Sequence, residues 1–203
     1  MPRVSLQTTF NNSLNDLAIL RNYINDSKTL DAKYQHIISE IIMLRLFSIL
    51  EHSICEIAFK LACGAKYRNG NSPSIHLICS SIQDANAKML VYGRRNPLRY
   101  HRWTTENYIK ISIENILDIH DSFFSQIQIH SSIINEMRIV RNHIAHKSTN
   151  TRNAYFDLLT TIYGGNPRIV AGAFLSSTTR HTRSNIERYF LSINVILNDI
   201  TNG

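Results

Sequence analysis

The chain has 203 residues, 43% hydrophobic and 18% charged, with only 7 glycines and 4 prolines; these proportions exclude a disordered or collagen-like chain and suit a single compact domain, residues 1–203. Its longest apolar stretch, residues 37–50, is interrupted by Glu40 and Arg45 and falls short of the ~18 uncharged residues that a membrane span requires. A formal net charge of +7 turns attention to polyanionic partners, nucleic acid first.

The N-terminal Met-Pro-Arg-Val-Ser-Leu-Gln lacks the apolar core and cleavage site of a secretion signal, which sets the expectation of a cytoplasmic protein without membrane contact. Residues 9–27 carry Phe10, Leu14, Leu17, Leu20 and Ile24 at spacings of three and four, the stripe of an amphipathic helix. Residues 30–65 are apolar on nearly every side, which predicts a long central helix stopped at Gly64, where a residue without Cβ takes the left-handed conformation. Residues 67–74, Tyr-Arg-Asn-Gly-Asn-Ser-Pro-Ser, read as a loop, and a short helix is expected over 75–91. Residues 93–103 place four arginines, His101, Tyr100 and Trp103 in one stretch with no apolar period, an exposed basic loop. Residues 108–113 alternate apolar and polar, but their flanks favour helix over strand. Further helices are expected over 119–129, 132–145, 150–163 and 182–200, with Gly164-Gly165-Asn166-Pro167 as strong punctuation. The fold class is therefore all-α: a helical bundle with a long central helix and short accessory helices. The odd count of cysteines, Cys55, Cys63 and Cys79, with no Cys-x-x-Cys pair, reads as inert buried thiols.

The most specific local pattern is Arg141-Asn142-His143-Ile144-Ala145-His146, at the C-terminal end of an amphipathic helix. An Arg followed by a polar residue and, after four intervening positions, by His resembles the signature of the HEPN superfamily, all-α domains that include metal-independent endoribonucleases. The long apolar helix with Glu51 embedded in it resembles the first core helix of that family, and length and layout are most similar to its RiboL-PSP branch. The resemblance covers the architecture of most of the chain but only about six residues of motif. It implies a homodimer whose motif helices meet in a shared cleft, with Arg141, Asn142 and His146 at the site and Glu51 in support; His143, next to the motif, is a further supporting candidate that would contact RNA or modulate His146.

The residue types suit that chemistry. Cleavage of RNA by its own 2′-OH requires a proton to leave the nucleophile and another to reach the 5′-oxygen, and an imidazole titrating near neutrality serves either end. A permanently charged guanidinium offers a planar fork of donors to the phosphoryl oxygens. Asn142 would orient either group through its amide, and neither a metal nor a cofactor is required. His143-x-x-His146 has no Cys or acidic partner nearby to complete a metal site. On an ideal helix Arg141 and His146 lie about 140° apart, so a composite site or a frayed helix end is needed to bring them together. The same cations would also be favoured by the helix dipole alone.

Arg94, Arg95, Arg99 and Arg102, interleaved with aromatics, have the composition of a single-stranded RNA contact. A second basic cluster, Arg180, His181, Arg183 and Arg188, opens the last helix. The leading expectation is an endoribonuclease acting as a toxin or antiphage defence effector, with an antitoxin or sensor protein as a further partner. Two readings stay open beside it: a catalytically inactive HEPN-like domain that binds RNA or a protein partner, and a helical DNA-binding regulator. Signatures of serine hydrolases, phosphate-loop NTPases and dinucleotide-binding folds are absent from the sequence.

Overall fold

A computed structural model describes residues 5–165 and 167–203. Residues 1–4 of the N-terminal heptapeptide and Asn166 of the Gly-Gly-Asn-Pro sequence lie outside them. Among the described residues the chain is all-helical and contains no strand. The helices are α1 (Leu6–Ser27), α2 (Ala32–Ala62), α3 (Ile82–Val91), α4 (Glu106–Ile113), α5 (Ser122–Ile129), α6 (Ser131–His146), α7 (Thr149–Tyr163), α8 (Ala171–Ser176) and α9 (Asn185–Asn202). None of them is long and apolar enough to cross a membrane. The chain divides into two compact units, with α1, α2 and α9 each contributing to both.

The first unit takes the chain up to Leu14, Leu50–Ser132 and Asn194–Gly203. Leu50, Ile54, Ile57 and Leu61 of α2 are buried, and the helix stops in a Schellman motif. Gly64 N donates to Leu61 O at 2.8 Å, Ala65 N donates to Lys60 O at 3.0 Å, and Gly64 has φ +82°, which satisfies carbonyls that the helix end would otherwise leave unpaired. Residues 75–81 are irregular rather than helical, and the reason is local. His76 N donates to Ile116 O at 2.9 Å, and the Ser81 hydroxyl caps α3 by accepting from Asp84 N at 3.1 Å, so the helix begins only at Ile82. The alternating residues 108–113 are helical, behind an N-cap at Thr105. Buried Asp121 ties the unit together: its carboxylate accepts from Phe123 N at 3.0 Å, from Ser74 N at 2.7 Å and from the Tyr67 hydroxyl.

The second unit takes Asn15–Ile49 and Ile133–Ile193. Met43, Leu46 and Phe47 of α2 are fully buried, and from α6 Ile134, Met137 and Val140 are buried along one seam, as their spacing requires. Glu136 of α6 accepts from Tyr189 Oη at 2.8 Å, from Arg180 Nη1 at 3.4 Å and from Arg188 Nη2, so two cations of the basic cluster at the start of α9 pair with α6. Helix α9 opens at Asn185 with a capping box: Glu187 N donates to Ser184 Oγ at 3.4 Å and Ser184 N to Glu187 Oε2 at 3.1 Å. The short helix α8 carries no sequence signal strong enough to announce it. Its Gly172 is required by the close approach of α2, because a Cβ there would lie 2.5 Å from His36 Cβ and 2.7 Å from His36 O.

Candidate active site

Helix α6 ends in the hexapeptide singled out above. Arg141 and Asn142 are half-buried, whereas His146, the last residue of the helix, is exposed. The Arg141 guanidinium lies 6.0 Å from the centre of the buried Phe47 ring, and its Nη1 donates to Asn142 Oδ1 at 3.0 Å. Among the described residues no carboxylate forms an ion pair with it. Arg141 is thus held in place by a neutral amide, with donors left over for an anion. Asn142 and His146, four residues apart, share a helix face within about 40°, so Asn142 links the guanidinium to the side of the helix that carries the imidazole.

His143 occupies a different environment. Its ring stacks on that of Tyr155 in α7, with centroids 4.4 Å apart and planes 5° from parallel, and its Nδ1 is buried without a hydrogen-bond partner. Burial pushes its pKa below the usual value, against a smaller upward pull from Glu40, so the ring is neutral near pH 7. Lys147 follows α6 with φ +47°, the one non-glycine residue with positive φ among those described, and Ser148 then caps α7 by accepting from Thr151 N at 3.3 Å. Glu51 is half-exposed on the part of α2 that belongs to the first unit, whereas Arg141 belongs to the second.

Beside His143 the structure assembles a cavity of about 280 Å³, lined by Lys147, Arg152, Arg168, Glu40, Phe156 and Val170 among others. Sequence reasoning missed Arg152 and Arg168. Arg152 lies six residues beyond the last residue of the motif, on α7, and Arg168 twenty-two residues beyond it, on the segment that precedes α8.

The basic loop, in the first unit, divides into inward and outward parts. Arg94, expected as an RNA contact, turns inward: its side chain is 8% exposed, and its guanidinium pairs with Glu114 Oε1 at 3.4 Å and donates to the carbonyls of Met89 and Ile111. A hydrogen-bonding group in the midst of main-chain acceptors is worth more to the fold than to solvent. Arg95, Arg99 and Arg102 remain exposed. Arg102 lies over the rings of Tyr100 and Tyr108, at 4.9 and 4.7 Å from their centres, a cation–aromatic stack open to solvent. His101 and buried Trp103 anchor the loop on Phe59, with ring centroids 5.5 and 5.8 Å away.

Among the described residues no three His, Cys, Asp or Glu side chains converge to hold a metal ion. Comparison of the chain with protein-family models, with curated protein sequences and with solved structures finds no significant match.

Proposed function

We propose that this chain is a metal-independent endoribonuclease of HEPN type that acts as a homodimer, in the setting of a toxin or antiphage effector held in check by an antitoxin or sensor partner. The observation that carries the reading is the Arg141 guanidinium, oriented by Asn142, unpaired with any described carboxylate and set on a helix that ends in exposed His146. In the reaction the 2′-oxygen attacks phosphorus as His146 removes its proton, Arg141 binds the non-bridging oxygens as their charge grows, and the bond to the 5′-oxygen breaks as that oxygen takes up a proton from water, which the His146 imidazolium then restores. The products are a 2′,3′-cyclic phosphate and a 5′-hydroxyl. Asn142 positions and does not react.

The angle between Arg141 and His146 on α6 favours a site in which one protomer supplies the guanidinium and its partner the imidazole. Apolar surface suited to self-association is present: Tyr34, Ile37 and Ile41, spaced three and four apart on α2, are 49–55% exposed. In the first unit, Arg95, Arg99 and the Tyr100–Arg102–Tyr108 stack offer phosphate and base contacts to single-stranded RNA.

Subunit mixing tests the shared site. Arg141→Ala and His146→Ala should each be inactive alone, and re-association of the two variants should restore about a quarter of wild-type cleavage, the share of intact sites given by random pairing. No recovery in a confirmed mixed dimer contradicts it. RNA retention by the wild type with no new 5′-hydroxyl ends would favour instead the binding-only reading.

A further inference from the structure

The cavity beside His143 has a composition that the cleavage site does not account for. Its wall brings together Lys147, Arg152 and Arg168 with a single carboxylate, Glu40, and that carboxylate is already engaged, accepting from Gly172 N at 3.0 Å. None of the three cations forms an ion pair among the described residues. Like charges gathered around one cavity repel unless an anion is present. Lys147 reaches this wall from a left-handed backbone conformation, φ +47°, which an ordinary side chain adopts at a cost and keeps where the surroundings require it. His143 also lines the cavity, its Nδ1 buried without a partner in the fold.

The other side is apolar. Ile144, Phe156, Ile169 and Ala171 line it, and Val170, 63% exposed, stands at its rim. A second cavity of about 570 Å³ shares Arg152, Phe156 and Arg168 and adds Asn153, Asp157 and Thr160. The two together give room for an organic group beyond a bare ion.

We infer that this cavity binds a phosphate monoester, the phosphate held by Lys147, Arg152 and Arg168 and the organic group laid against Phe156 and Val170. A monoester carries close to two negative charges at neutral pH and presents three terminal oxygens, which matches the three cations of the first cavity, whose one carboxylate is engaged, Asp157 lining only the second; an internal phosphodiester carries one charge and two such oxygens. Guanidinium forks and an ammonium are the usual partners of such a group. The monoester has two natural sources, a small free ester and the phosphorylated end of an RNA strand.

Calorimetric titration of the full chain at low salt decides the matter, and it requires no RNA cleavage, so its outcome is separate from that of the nuclease assay. The probes are inorganic phosphate, adenosine 5′-monophosphate, adenosine, and a 2′-O-methyl tetranucleotide with a 5′-phosphate or a 5′-hydroxyl. Adenosine 5′-monophosphate should bind at least about tenfold more tightly than adenosine, and Arg152→Gln or Arg168→Gln should each remove about tenfold or more of that affinity, the scale of a charge-assisted hydrogen bond. Lys147→Gly should weaken binding while leaving the fold as stable or more so, since glycine accepts the positive φ. Lys66→Gln, an exposed cation in the first unit, should change nothing. Tighter binding of the 5′-phosphorylated tetranucleotide than of the mononucleotide identifies an RNA end as the source, and the reverse identifies a free ester. Equal affinity for adenosine and its monophosphate, or equal losses in Lys66→Gln and in the cavity variants, overturns the inference.

Discussion

Replacing Glu136 by Gln isolates the electrostatic tie between α6 and α9. The side chain of Glu136 is 15% exposed, and those of Arg180 and Arg188 are 23% and 22% exposed, so the three charges are largely withdrawn from water. At ~4 Å and an effective dielectric constant near 20, each pair is worth at most about 4 kcal/mol before desolvation is counted. Glutamine keeps the shape and one acceptor oxygen, so Tyr189 keeps its hydrogen bond, but both guanidiniums lose their counter-charge. Removing one partner of a buried pair costs about 3–5 kcal/mol, and the retained acceptor places this change at the lower end, about 3 kcal/mol. For a chain of this length that is a fall in Tm of roughly 6–12 °C. Lys28→Gln, which deletes the 57% exposed partner of Glu187, should cost less than about 1 kcal/mol. Urea and thermal unfolding followed by circular dichroism measure both, and a Glu136→Gln loss no larger than that of Lys28→Gln would refute the reasoning.

Two further outcomes follow from particular contacts. Gly172→Ala should lower stability by about 1–3 kcal/mol, because the new methyl group meets the α2 backbone and not a flexible side-chain tip; unchanged unfolding would mean that α2 and α8 are not packed as described. The His143 ring should titrate below 6.5, since burial against Tyr155 opposes its charged form. A folded-state pKa lower than the unfolded one stabilises the chain fully above about 6.5, and that contribution is lost as pH falls through the lower folded value. Ring-proton NMR resolves the titration, and a midpoint above 6.5 would contradict the stacked, neutral ring.

Much of this architecture was legible in the sequence because it rests on local rules. The stripe through Leu17 and Ile24 marks α1, and Gly64 marks the end of α2 through the only conformation that closes it. Ser184-x-x-Glu187 was equally readable and places the start of α9 three residues inside the periodic stretch. The late start of α3 was harder, because the residues before it are claimed by the main chain around Ile116, forty residues away. Arg94 shows the limit of composition: a run of arginines looks uniformly exposed until the carbonyls near the end of α4 take one of them. The cysteines divide similarly. Only Cys79 is buried outright, Cys55 and Cys63 being half-buried, yet burial raises all three thiols, Cys55 to about 12. For the site, the hexapeptide located Arg141, Asn142 and His146 on one helix end, but no spacing rule places Arg152 and Arg168 beside His143.

The most direct test of the account is the sequencing of RNA ends after controlled expression of the wild type and of His146→Ala at matched levels. The account predicts new 5′-hydroxyl and 2′,3′-cyclic phosphate ends with the wild type, and their loss by about 10²–10⁴-fold in the variant, the scale of general acid–base catalysis. The same ends in equal amount from both proteins, or none from either, would contradict it.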